Sequence, residues 1–278
     1  MTNLQMFGKR IAITTLITAV VTGTIMTAEA AETQDYQSNA VVNFIQSTDP
    51  TLPVDPENPD PGTPVDPIDP TDPEGPNPGT PGPLSIDFAS SLQFGTTKIT
   101  TKDAVYNAYA QAITVAGEQQ YRPNYVQITD NRGTEVGWTL TVTQAKQLTS
   151  TAGKQLQGAV ITLEQSEVKT ITGSELAAPS QVAKTVVLQP EEAVPVMAAN
   201  EGEGAGLWTA HFGNSEKTLQ EGSDLVPGEG GAEPSEIKVM RNTAVTLSVP
   251  GKSLKTEAEY RSQLNWTLAE VPTNGADI

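Results

Sequence analysis

Apolar and polar residues alternate with a period of two along much of residues 84 to 278. Trp138, Leu140 and Val142 fall on one side of an extended chain, and Thr139, Thr141 and Thr143 on the other. Near the C-terminus, Leu264, Trp266 and Leu268 oppose Gln263, Asn265 and Thr267 in the same way. Shorter runs of strand character cover Leu84 to Phe88, Ala159 to Leu163, Val182 to Leu188, Leu207 to Phe212 and Val245 to Val249. Turn-forming residues separate them at Asp130-Asn131-Arg132-Gly133, Ala152-Gly153, Gly213-Asn214-Ser215, Pro227-Gly228 and Pro250-Gly251. Thr141 to Thr151 and Leu176 to Ala183 each allow a short turn of helix, but no strand–helix alternation of a parallel sheet is present. About 195 residues suffice for one sizeable core. The pattern predicts an all-β fold, an antiparallel β-sandwich or a related β-barrel.

Upstream, the composition changes. Residues 31 to 48 form a short polar segment with one apolar patch, Val41-Val42-Asn43-Phe44-Ile45. Residues 49 to 83 are Pro, Asp, Gly and Thr for the most part, with eight acidic residues and no basic ones. So little apolar surface predicts a disordered, extended, self-repelling stalk in front of a folded domain over residues 84 to 278. Aligned every third residue, Asp66, Asp69 and Asp72 leave open a weak cation contact beside the plainer role of spacer.

The first residues predict export. Lys9 and Arg10 precede a threonine-diluted apolar run from Ile11 to Met26, and Ala28-Glu29-Ala30 offers a small-x-small cleavage site, so residues 1 to 30 read as a signal peptide. With no second long apolar run, no membrane span is expected in the mature protein. Leu52-Pro53-Val54-Asp55 is similar to a sortase sorting signal but lacks its Thr-Gly and a hydrophobic tail. The absence of cysteine excludes disulfides, thiol catalysis, thiolate metal sites and a lipid-modified N-terminal cysteine. A secreted chain of this kind either diffuses away or is held non-covalently.

The chain has three tryptophans, each followed by threonine. Asp130-Asn131-Arg132-Gly133, then Gly137-Trp138-Thr139-Leu140, and finally Tyr260 through Pro272 resemble the WxL domain of surface proteins from low-GC Gram-positive bacteria. The resemblance covers roughly the last two thirds of the chain. It implies a non-enzymatic protein of the cell wall, attached non-covalently to peptidoglycan. It also allows wall contact through another surface protein, such as the WxL-interacting proteins that accompany the family. The motif residues Trp138, Thr139, Leu140, Trp266, Thr267 and Leu268 then have two readings. They are core strands, or the indoles stack on glycan rings while Thr and Asn groups bond the sugar. Asp130, Asn131 and Arg132 are a tight turn with an exposed arginine, or a ligand loop beside the first motif.

Other chemistries lack their residues. His211 is the only histidine, and no Gly-x-Ser-x-Gly elbow accompanies it. One histidine without cysteine cannot build a zinc site, so neither metal nor cofactor is expected. Glu191-Glu192, and Glu201 with Glu203, lie in loop-like acidic segments, which reads as solvated surface rather than as a glycosidase pair. The net charge of −17 disfavours nucleic acid. Lys252, Lys255 and Arg261 are either a local cationic spot or ordinary solvated charges.

Overall fold

A computed structural model of the protein describes residues 34–228 and 232–270. The expected signal peptide, like Val271 and Pro272 of the second motif region, lies outside the described residues. The chain divides into two units, Met1–Asn43 and Phe44–Ile278. In the first, residues 34–43 are exposed and carry neither helix nor strand. The rest of the description concerns the second.

Its elements are all strands. They begin with β1 (Asp66–Pro67), β2 (Leu84–Ala89), β3 (Ala104–Tyr109), β4 (Gln111–Val115), β5 (Glu118–Arg122), β6 (Asn124–Asp130) and β7 (Trp138–Gln144). β8 (Thr149–Ser150), β9 (Val160–Glu164), β10 (Ser166–Lys169), β11 (Gln181–Val182) and β12 (Thr185–Leu188) follow. The chain then forms β13 (Ala193–Ala199), β14 (Gly206–Phe212), β15 (Leu219–Val226), β16 (Ser235–Val249), β17 (Tyr260–Arg261) and β18 (Leu264–Glu270). No helix occurs among the described residues, so the helical turns allowed within 141–151 and 176–183 are replaced by strand and turn.

Three sheets surround one core, in the orders β10-β14-β6-β2, β11-β13-β7-β18 and β12-β9-β16-β15, with β3 also paired to β16. A smaller sheet, β1-β4-β5, and the pair β17-β8 complete the set. The ladders between these strands are antiparallel, and the sheets are arranged like a propeller. The all-β antiparallel class therefore holds. Its period-two residues meet in the middle: Val126 and Ile128 of β6, Trp138, Leu140 and Val142 of β7, Ile161 and Leu163 of β9, and Val245 and Leu247 of β16.

Part of the acidic Pro-rich segment, expected from its composition to be a disordered stalk, is held against the strands. Leu52 to Pro70 forms a strap that lies on the β6–β14 sheet at Leu52 to Pro56 and along β4 at Asp66 to Ile68, with its own Val54 and Val65 buried. The Gln127 side chain clasps its backbone, accepting from Val54 N at 2.8 Å and donating to the Leu52 carbonyl at 3.0 Å. Arg122 donates to both oxygens of Asp55, with Nη2–Oδ2 at 2.6 Å, and Thr209 donates to the Pro56 carbonyl at 2.8 Å. Asp66 and Pro67 pair with β4. Order comes from partners tens of residues away, which local composition cannot encode.

The aspartates serve the strap's own backbone. Asp55, Asp60, Asp69 and Asp72 each accept the N–H of the residue two positions on, at 3.1, 2.8, 2.7 and 2.9 Å. A proline stands between donor and acceptor every time. It has no N–H of its own and fixes φ near the turn value, so each Asp-Pro unit is a preorganised turn. This also explains β6, whose seven residues are all buried. Val126 and Ile128 face the core, while Tyr125, Gln127 and Thr129 are covered by the strap and its neighbours.

Asp87 lies under the same cover and accepts hydrogen bonds from Ser85, Gln127 and Thr129 at 2.7, 2.9 and 2.6 Å. Burial pushes its pKa above the ordinary aspartate value, against the lowering effect of those bonds. The native state thus binds this proton more tightly than the unfolded chain. The charged carboxylate weakens the fold above its native pKa, and this penalty vanishes as pH falls through that value toward the ordinary one. The unfolding free energy of the natural protein minus that of Asp87→Asn should therefore rise as pH is lowered across this window, measured by urea titration at each pH. Separately, Gln127→Ala removes both clasping bonds and should cost about 1–3 kcal/mol. Limited proteolysis should then cut within residues 52–70 faster than in the parent.

Candidate functional site

The two motif repeats are neighbouring strands of one sheet. β7 lies between β13 and β18, and the register sets Leu140 opposite Leu268, Thr141 opposite Thr267 and Val142 opposite Trp266. The repeats nonetheless occupy different environments. On central β7, Trp138 and Leu140 are fully buried. On edge β18, Leu264, Trp266 and Leu268 are half-buried against the core.

Glycines admit the first indole. Trp138 Nε1 donates to the Gly204 carbonyl at 2.9 Å, and a Cβ on Gly204 would approach that nitrogen to 2.7 Å and the Ala199 Cβ to 2.5 Å. Gly137, at φ +74°, lies so close to β13 that a Cβ would come within 2.3 Å of the Ala199 carbonyl oxygen. Trp208 is buried too, and its Nε1 donates to the Ala205 carbonyl at 2.9 Å. The glycine-rich entry to β14 is therefore a seat for two indoles. Trp266 borders a cleft of only about 10 Å³ with Leu92, Tyr125, Leu163, Phe212 and Leu264, room for no more than one water.

Arg132 departs from the exposed position expected of it. It is 5 % exposed and donates from Nε and Nη2 to the two oxygens of Asp130, at 2.9 and 2.7 Å. Nη2 also donates to the Gly137 carbonyl at 2.8 Å, and Nη1 lies 2.9 Å from the Glu270 carboxylate. One guanidinium thus joins the end of β6, the entry to the first motif and the exit from the second. These bonds, above all those to Asp130, hold its pKa above the ordinary arginine value. Of the expected loop residues, Asp130 and Arg132 are internal ties, and Asn131 alone is exposed.

What the sheet offers to solvent is its other face. Thr139, Thr141 and Thr143 of β7 are partly exposed, and Asn265, Thr267 and Ala269 of β18 are exposed. They stand in cross-strand rows: Thr143 with Asn265, Thr141 with Thr267, Thr139 with Ala269. Successive rows are about 6.8 Å apart. The result is an uncharged field of hydroxyl and amide groups.

The remaining candidates have structural partners. Lys255 donates to the carbonyls of Pro250, Gly251 and Ser253, and Arg261 pairs with Glu259 at 2.6 Å. His211 is buried, with Nδ1 2.9 Å from the Gly213 carbonyl. Glu203 accepts from Ser180 and from Asn200 N and closes the loop that carries Gly204. No group of acidic or histidine side chains among the described residues is placed to hold a metal. An open groove of about 160 Å³ lined by Tyr109, Gln119, Tyr121 and Lys238 includes no motif residue.

The family described as WxL domain surface cell wall-binding matches residues 31–272 of this chain. No curated protein and no solved structure matches it. The matched stretch includes the strap as well as the strands.

Burial separates the two tryptophans energetically. Trp138→Ala should cost about 3–5 kcal/mol, the range for emptying a fully buried aromatic site. Trp266→Ala removes a ring that solvent already reaches and should cost less, about 1–3 kcal/mol from the smaller area involved. Urea unfolding of both variants checks the order. Equal losses would contradict the central-versus-edge distinction.

Proposed function

This chain belongs to the WxL domain surface cell wall-binding family, and from that premise we propose that it attaches non-covalently to peptidoglycan through the outer face of its paired-motif sheet. The observation that carries this reading is the field formed by Thr139, Thr141, Thr143, Asn265 and Thr267, the accessible polar side of both motif strands. Hydroxyls both donate and accept, and an amide does the same, which suits the hydroxyl and acetamido groups of a glycan. The field carries no charge to oppose an anionic wall, despite the net −17 of the chain. In this reading Trp138 supports the face from behind and does not stack on sugar. The protein is a binder and not an enzyme, exported by its N-terminal signal and retained at the cell surface.

A second reading has its own observation. The outer edge of β18 has no strand partner among the described residues, which suits docking onto another surface protein of the WxL-interacting kind.

Sedimentation with purified, protein-free peptidoglycan tests the choice. The mature chain should pellet with the wall. Thr141→Val with Thr267→Val, a facing pair that removes both hydroxyls but keeps shape and strand preference, should keep its melting temperature yet reduce retention about tenfold, or ~1.4 kcal/mol. Retention that needs a second wall protein, and is indifferent to this pair, would support protein-mediated attachment instead.

A further inference from the structure

Two features of the chain are complementary and unexplained by wall contact. The first is the β18 edge. From Ser262 to Ala269 it has no charge and no proline, and its inward side chains Leu264, Trp266 and Leu268 are only half-buried. Proteins ordinarily blunt such an edge with charge, proline, a bulge or a cover. The other sheet edges among the described residues are protected. β10 carries Glu167 and Lys169, β15 carries Glu221 and Asp224, and β5 carries Glu118 and Arg122. β2 pairs with Thr80, and β3 is met by Gln93 and Arg241. β11 and β12 are short, at two and four residues.

The second feature is a strand-forming segment with no strand partner among the described residues. Tyr36 to Thr48 has neither charge nor proline. It adopts no regular structure, and Val41, Val42, Phe44 and Ile45 are 85, 71, 91 and 93 % exposed. β-branched and aromatic residues favour an extended strand, and leaving four of them in water is costly.

We propose that Ala40–Thr48 of a second copy of this chain adds as a strand to the outer edge of β18. Backbone hydrogen bonds would complete the open ladder, and alternate apolar side chains of the segment would extend the cover over the partly exposed row of Leu264, Trp266 and Leu268. Each copy presents one donor and one acceptor, so two copies exchanging segments reciprocally satisfy both in a closed two-fold dimer. The inference names the occupant of the edge that the second reading of function leaves to another protein, and its test contains no wall material.

The absence of cysteine from the natural chain makes the test direct. Mature protein carrying Asn43→Cys is mixed with protein carrying Asn265→Cys and treated with a short bis-maleimide. A mixed cross-linked dimer is expected, and Ser223→Cys in place of the edge cysteine should give none. Sedimentation velocity of the unmodified mature chain should show a concentration-dependent dimer. Val42→Lys with Phe44→Lys should shift it to monomer without lowering the melting temperature of the monomer. A chain that stays monomeric at every concentration overturns the proposal. So does a dimer indifferent to these lysines, or an Asn43→Cys/Asn265→Cys double variant that cross-links only within one chain.

Discussion

The indole of Trp138 leaves no space for a side chain on the loop that receives its N–H, and this constraint couples three separate stretches of chain. Gly204 must lack a Cβ because that atom would meet the indole nitrogen, and Gly137 must lack one because β13 passes too close. The adjacent Ala205 carbonyl receives the second buried indole, Trp208. The central strand of the motif sheet and β14 of the neighbouring sheet are therefore set by one loop. Removing the first indole empties a site that belongs to both sheets, in a protein whose margin is of order 5–15 kcal/mol. Sensitivity of wall attachment to this tryptophan would thus report on folding before it reported on contact.

The two motifs show how position in a sheet overrides local sequence. Trp-Thr-Leu on β7 has neighbours on both sides and is buried. The same tripeptide on β18 has one neighbour and stays half-buried. The Arg132 guanidinium offsets this by tying Glu270, just past the second motif, to Asp130 and to the entry of the first. An arginine enclosed in this way carries a large desolvation cost, which two carboxylates and a carbonyl compensate. Loss of either carboxylate would leave part of that cost unmet.

The strands themselves are readable from alternation, because side-chain direction alternates whatever the tertiary context. The class of the fold and the burial of Trp138 follow from that. Three features are not readable, for one common reason. The strap is ordered by Gln127 and Arg122, about seventy positions from its own residues. β6 reads as half-polar, yet Gln127 and Thr129 are buried because that strap covers them. Arg132 reads as solvent-exposed, yet its partner Glu270 arrives from the far end of the chain. For the strap and β6 a distant segment supplies the hydrogen bonds, and for Arg132 it adds Glu270 to the nearby Asp130 and Gly137. Local composition contains no record of that segment. Turn chemistry alone gave a partial signal, since Asp-Pro repeats are as consistent with a string of capped turns as with an extended spacer.

With the Trp138 and Trp208 indoles committed to the interior and Trp266 turned inward on its edge strand, a wall contact through the outer face of the motif sheet, as proposed, would fall to its threonines and asparagine. Such a face binds differently from an aromatic platform. Threonine is β-branched and stiff at χ1, and on a central strand its hydroxyl is held at a fixed spacing by the backbone ladder. Little side-chain entropy remains to be lost on contact, which matters when each hydrogen bond contributes only about 0.5–1.5 kcal/mol net. A polymer of repeating hydroxyl and amide groups can engage several rows at once, so modest contacts add through multiplicity and not through one deep pocket. In the proposed reading the buried tryptophans have an indirect part in binding: they hold in place the sheet on which those rows are spaced.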